Sequence, residues 1–123
     1  MNSVVLYIDD NEDNILLVQR LLKRRRPDIR LYTAGTGREG TTAALERQPA
    51  LILLDNRLPD TSGEQVLGEL AANPATAAIP VVVLSGDSGR VTVSELLAAG
   101  AAEFMTKPID INQLLATIGR YLR

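Results

Sequence analysis

Short apolar runs recur along the chain and alternate with longer stretches whose apolar positions repeat every three to four residues. The runs are "VVLYI" at 4–8, "IRLYT" at 29–33, "LILL" at 51–54, "IPVVVL" at 79–84 and "AEFMT" at 102–106. The first, third and fourth are nearly unbroken Val, Ile and Leu, the pattern of strands covered on both faces in a parallel sheet. "IRLYT" alternates apolar with polar residues and reads as an edge strand.

The intervening segments carry helix start and stop signals. In "NEDNILLVQRLLKRRRP", Val18, Leu21 and Leu22 share one helical face, with acids in the first turn and bases in the last, an order that suits the helix dipole. Thr36 with Glu39, Ser62 with Gln65 and Asp110 with Gln113 have capping-box spacing. "SGRVTVSELLAAG" ends on Gly100, a C′ glycine. Five strands and five helices in strict alternation predict a doubly wound α/β sandwich with a parallel five-stranded sheet. No repeat, low-complexity segment or linker interrupts residues 1–123, which read as one domain.

In open α/β sheets ligands bind outside the carboxyl ends of the strands. Strand one is followed by Asp9 and Asp10, strand three by Asp55, strand four by Ser85 and strand five by Lys107-Pro108. With strand order 2-1-3-4-5, these ends are neighbours and their side chains converge on one cleft. Three carboxylates a few ångströms apart repel one another and raise at least one pKa. A hard divalent cation such as Mg²⁺ relieves this, held by one or two carboxylates, waters and a phosphate oxygen. A lysine can neutralise a second phosphate oxygen and a serine can hydrogen-bond a third. The set is suited to receiving a phosphoryl group on an Asp. That explains why a strand as apolar as "LILL" finishes on Asp55: there the carboxylate stays solvated, metal-bound and open to reaction.

These residues resemble the receiver domain of bacterial two-component response regulators over the full chain. The resemblance rests on "DD" after strand one, "LLDNRLPDTSG" around the acceptor, "LSG" after strand four and "TKP" after strand five. It implies a flavodoxin-like, chemotaxis-regulator-like fold. It further implies that Asp55 takes a phosphoryl group from a histidine kinase or phosphotransfer protein. Asp10, Asp55 and the backbone carbonyl of Arg57 would hold Mg²⁺, with Asp9 helping through water. Lys107 would contact the phosphoryl group, Ser85 would swing in to bond it, and Phe104 would turn inward with it. That movement would remodel the face made by the fourth helix, fifth strand and fifth helix, a surface for a partner or for homodimerisation. A cis Lys107–Pro108 bond is also implied. "LYIDDNEDN", "RRPDIRLYTA", "NPATAAIPVVVLSG" and "TKPID" resemble in particular receivers attached to hybrid sensor kinases.

Two positions depart from the commonest pattern. Asn56-Arg57 follows the acceptor, and Gly86 replaces a small Ala, leaving room above Asp55. Arg57 and Asp87 each lie two residues past a site residue, where they are expected to pair across the cleft mouth and slow hydrolysis. Asp60 reads as exposed turn chemistry, and Gly63 as a backbone conformation needed at the helix start.

Composition narrows the alternatives. The chain has no histidine and no cysteine, which excludes Ser-His-Asp triads, His-based metal sites, thiolate zinc and a phosphohistidine of its own. A net charge of −2 gives no field for nucleic acid, and Lys23-Arg24-Arg25-Arg26 reads as a solvated helix end. No run approaches a membrane span and no leader pattern stands at the N-terminus, so a cytoplasmic protein is expected. A haloacid-dehalogenase-type phosphatase also uses a strand-end Asp, but it needs an acid two residues on, where this chain has Arg57. An interaction module stripped of its chemistry is disfavoured by the complete set of site residues. The reading is a signalling receiver that acts only on its own phosphorylation and dephosphorylation.

Overall fold

The computed structural model describes residues 2–86 and 93–122, the side chain of Val93 excepted. Its strands are β1 (Val4–Ile8), β2 (Arg30–Ala34), β3 (Leu51–Asp55), β4 (Val81–Ser85) and β5 (Glu103–Thr106). They alternate with α1 (Glu12–Arg25), α2 (Gly37–Arg47), α3 (Gly63–Ala72), α4 (Val93–Ala98) and α5 (Ile111–Tyr121). The sheet is parallel throughout, in the order β2-β1-β3-β4-β5. The expected fold and strand order are thus the observed ones, with β2 and β5 at the edges.

Alternation along the strands divides the core into two layers. Val5, Tyr7, Leu51, Leu53, Val82, Leu84 and Met105 face α1 and α5, where they meet Val18, Leu21, Leu22, Leu114 and Ile118. Leu6, Ile8, Ile52, Leu54, Val81 and Val83 face the other way, onto Ala44, Val66, Leu67, Leu70 and Leu96 of α2, α3 and α4. Every residue of β3 and β4 is buried, which is why those runs show no alternation in sequence.

The caps follow the sequence signals. The side chains of Thr36, Ser62 and Asp110 accept from the backbone N–H of Glu39, Gln65 and Gln113. Asn11 does the same for α1, accepting from Asn14 N–H. Gly100 adopts φ +119°, and its N–H and that of Ala101 bond the carbonyls of Leu97 and Leu96, closing α4 with a Schellman turn. The basic end of α1 is exposed as expected, except that Arg26 reaches across to Asp28 and to the Leu122 carbonyl at 3.0 Å.

One reading is corrected and one extended. Gly63 has no left-handed backbone; instead a Cβ there would stand 2.9 Å from Asn56 Cα and 3.2 Å from the Asp55 carbonyl oxygen. Close approach of two backbones, with the Gly63 N–H bonding the Asn56 carbonyl at 2.9 Å, requires the glycine. Asp60 is exposed but structural. Its carboxylate accepts from Gly37 and Arg38 N–H at 2.8 and 3.1 Å, adding a cap to α2 from another loop.

Candidate functional site

Ladder hydrogen bonds continue just beyond the strands and aim the polar residues. The Asp9 N–H donates to the Ala34 carbonyl, Asn56 N–H to Leu84, and Lys107 N–H to Ser85, each at 2.9 Å. In the same registers Asp55 pairs with Leu84 and Ser85 with Thr106. The carboxyl ends of β1, β3, β4 and β5 therefore deliver their side chains to one place. There an open cleft of about 410 Å³ is lined by Asp10, Asp55, Arg57, Ser85, Gly86 and Lys107, among others.

The ammonium of Lys107 lies 3.1 Å from Asp55 Oδ1 and 3.4 Å from Asp9 Oδ2. Carboxylate oxygens of Asp9, Asp10 and Asp55 come within 4.8 Å of one another. Asp9 is wholly buried behind the cleft, whereas Asp10 is exposed at its rim. The Lys107–Pro108 bond is cis.

The two buried carboxylates are pushed in opposite directions. Burial raises the pKa of Asp9, but the Tyr7 hydroxyl, the Asn11 N–H and Lys107 together outweigh it and hold the group below the usual carboxylate range. For Asp55, burial and the neighbouring Asp9 charge win over Lys107 and the Arg57 N–H, so its pKa is raised. An oxygen donor set with excess negative charge, opening onto a cleft, fits a hard divalent cation.

Ser85 is buried at the end of β4 and Gly86 borders the cleft. A Cβ on residue 86 would meet the Lys107 stem at 3.6 and 3.8 Å, ordinary contact, so glycine gives space there without being sterically required. Phe104 is half-buried on β5 against the α4 side of the core. Asp87, expected opposite Arg57, lies outside the described residues. Sequence reasoning missed Tyr7, a buried tyrosine whose hydroxyl donates to Asp9 Oδ2 at 2.6 Å. The only signal was a polar-tipped residue inside an otherwise aliphatic strand.

Strand order, a cleft where that order reverses and a lysine between acids define a doubly wound domain with a cluster of charged side chains at its strand ends. Residues 5–119 match the model of the response regulator receiver domain, and the chain belongs to that family. It is 35% identical over 121 residues to the response regulator PleD of Caulobacter vibrioides, covering 96% of this chain and 26% of PleD. It is 36% identical over 121 residues to the transcriptional regulatory protein KdpE of Mycobacterium tuberculosis, covering 98% of this chain and 51% of KdpE. The chain thus spans between about a quarter and about a half of these relatives' lengths. The Mn²⁺-bound form of the response regulator Rcp1 superposes with a TM-score of 0.77 at 31% identity, over 94% of this chain and 88% of that one. The chain is a receiver domain of two-component signalling, a signalling module rather than a metabolic enzyme, from a family that interacts with histidine kinases and output domains. Among the described residues no helix is long and apolar enough to cross a membrane.

Proposed function

We propose that Asp55 is the phosphoacceptor of a phosphorelay and takes its phosphoryl group from the phosphohistidine of a histidine kinase or phosphotransfer protein. The observation that carries this is the contact of Lys107 Nζ with Asp55 Oδ1 at 3.1 Å, in a cleft with Asp10 at its rim and buried Asp9 behind it. An Asp55 oxygen attacks phosphorus, the P–N bond breaks, and its electron pair returns to the donor imidazole, leaving an acyl phosphate on this chain. Lys107 balances charge on the phosphoryl oxygens as it transfers.

Asp10, Asp55 and the Arg57 carbonyl would hold Mg²⁺, and buried Asp9 would act on it through water. When bound, Mg²⁺ neutralises the crowded carboxylates and the incoming phosphoryl oxygens. The Mn²⁺ in the Rcp1 structure supports a divalent cation here. With Ser85 at the end of β4 and Phe104 on the neighbouring β5, a bond from the Ser85 hydroxyl to the phosphoryl group would draw both inward. The face of α4, β5 and α5 then changes. Leu97 stands exposed on α4, and Arg120 and Tyr121 of α5 are tied to Glu103 of β5, the Tyr121 hydroxyl at 2.6 Å from Oε2. Phosphorylation favours one of two conformations of this face, which a partner, an output domain or a second copy reads. Residues 1–123 act as one cytoplasmic receiver that catalyses only its own phosphorylation and dephosphorylation.

Incubation with acetyl phosphate and Mg²⁺, followed by intact-mass measurement, tests this reading. Wild type should gain one phosphoryl group and Asp55→Asn none. Equal gain in both, or none in either, overturns it.

A further inference from the structure

Tyr7 is a residue that phosphoryl chemistry does not call for. It is fully buried in β1, among side chains facing α1 and α5, where an aliphatic residue would suit a central parallel strand as well. Its hydroxyl makes a short, charge-assisted bond of 2.6 Å to Asp9 Oδ2. The same oxygen also faces Asn14 Nδ2 and Lys107 Nζ, each at 3.4 Å. A carboxylate oxygen offers about two lone-pair sites. Three donors exceed that capacity, and Tyr7 holds the closest place. Asp9 Oδ1 lies on the other side of the carboxylate and already accepts from Asn11 N–H at 2.9 Å. Lys107 is left nearer to Asp55 Oδ1, at 3.1 Å.

Without the hydroxyl the balance would tip. Asp9 has no exposure and Asp55 has a little, so the less solvated Asp9 would exert the stronger pull on a nearby ammonium. We propose that Tyr7 is a positioning residue: its hydroxyl fills the Asp9 oxygen that would otherwise draw Lys107 away, and so keeps the ammonium turned toward Asp55. The role in transfer rests on the reading of Asp55 as phosphoacceptor; the placement of the lysine does not.

Tyr7→Phe removes the hydroxyl and keeps the ring. The chain has only two lysines, Lys23 and Lys107. Proton–nitrogen spectra of the ammonium groups in the unphosphorylated protein therefore report Lys107 directly, with exposed Lys23 as internal control. The Lys107 signal should move in Tyr7→Phe while Lys23 stays. With acetyl phosphate at saturating Mg²⁺ the phosphorylation rate should fall, by up to about a hundredfold for a displacement of about 1 Å. The Mg²⁺ concentration giving half that rate should not rise. Asn14→Ala removes a weaker competitor from the helix surface and should move the Lys107 signal the same way by less.

An unmoved Lys107 signal in Tyr7→Phe overturns the proposal. So does a joint loss of thermal stability, Mg²⁺ affinity and rate, which would make Tyr7 purely structural. Should Tyr7→Phe not fold, a Lys107 signal that is unmoved or moves oppositely in Asn14→Ala overturns it instead. A wild-type chain that takes no phosphoryl group sinks the phosphoacceptor reading and the role in transfer with it. Phosphorylation at Asp55 with an unmoved Lys107 sinks this proposal alone.

Discussion

Asp60 Oδ1 accepts the backbone N–H of Gly37 at 2.8 Å, a contact that fastens the loop after β3 onto the start of α2. Inside that loop Arg57 and Ser62 form a single antiparallel bridge, and Leu58 N–H donates to the Thr61 carbonyl at 3.1 Å. The loop carrying the Arg57 carbonyl is therefore anchored twice, its two ends tied by Gly63 on Asn56 and its middle held by Asp60 on α2. Asp60→Ala should lower the thermal midpoint and raise the Mg²⁺ concentration needed for half-maximal phosphorylation. Asp60→Asn, which keeps one acceptor oxygen, should recover most of both. Thermal melts and Mg²⁺ titrations of the two variants check this, and an Asp60→Ala chain with wild-type Mg²⁺ dependence would disconnect the anchor from the site.

Helix glycines divide by what surrounds them. A Cβ on residue 40 would stand 2.4, 2.8 and 3.0 Å from three side-chain atoms of buried Ile8, whereas one on residue 68 would meet nothing within 4 Å. Gly40→Ala should destabilise by about 1–3 kcal/mol through overpacking. Gly68→Ala, in the exposed middle of α3, should stabilise by about 0.5–1 kcal/mol, because alanine loses less backbone entropy in a helix. Denaturant unfolding of the two variants should give shifts of opposite sign.

The same division explains how much the sequence revealed. Continuous apolar runs marked β1, β3 and β4 because both faces of the sheet are covered, and strict alternation with helices marked a doubly wound sheet, in which the order 2-1-3-4-5 makes the polar strand ends neighbours. The strand-end residues Asp9, Asp10, Asp55, Ser85 and Lys107 were legible because they close or follow strand-like runs at the carboxyl ends of β1, β3, β4 and β5. Tyr7, Asp60 and Gly63 were not, because their roles depend on side-chain and backbone contacts that no periodicity or capping signal marks. The Tyr7 hydroxyl donates to the carboxylate two residues on, Asp60 caps a helix begun 23 residues earlier, and Gly63 yields to a backbone that folds back on it. Strand ends shifted by a residue, as at β2, where the ladder runs on to Ala34 in order to pair with Ile8.

Opposed shifts at Asp9 and Asp55 predict opposite stability profiles with pH. The pKa of Asp55 is raised in the folded chain, by burial and by Asp9, so its ionised form costs stability above that raised value. Asp55→Asn should therefore melt higher than wild type at neutral pH, with the gap closing as acid protonates Asp55. Asp9 is buried, but its Tyr7, Asn11 and Lys107 donors hold its pKa low, so its ionised form supports the fold above the unfolded-state pKa. That support fades as pH falls through the lowered folded value. Asp9→Asn should accordingly melt lower than wild type at neutral pH and converge on it in acid. Thermal melts from about pH 7 down to about pH 3 check both signs, and a shared sign for the two variants would contradict the assignment.

Lys107 has two effects that one substitution can separate. Its ammonium sits against Asp55 and Asp9 and so occupies part of the negative potential that a cation would use. Lys107→Ala should therefore bind Mg²⁺ at least as tightly as wild type, read as the rise in thermal midpoint on adding the ion. A site-bound ion at a hundredfold excess over its Kd stabilises by about 2.7 kcal/mol, and Asp55→Asn should show less of this rise because a ligand carboxylate is gone. Yet with acetyl phosphate and saturating Mg²⁺, Lys107→Ala should phosphorylate about a hundred- to a thousandfold more slowly, the loss typical of removing a preorganised donor from a developing charge. Tight Mg²⁺ binding joined to slow transfer would assign the ammonium to the phosphoryl group. Weakened Mg²⁺ binding with an unchanged rate would mean that Lys107 only organises the carboxylates.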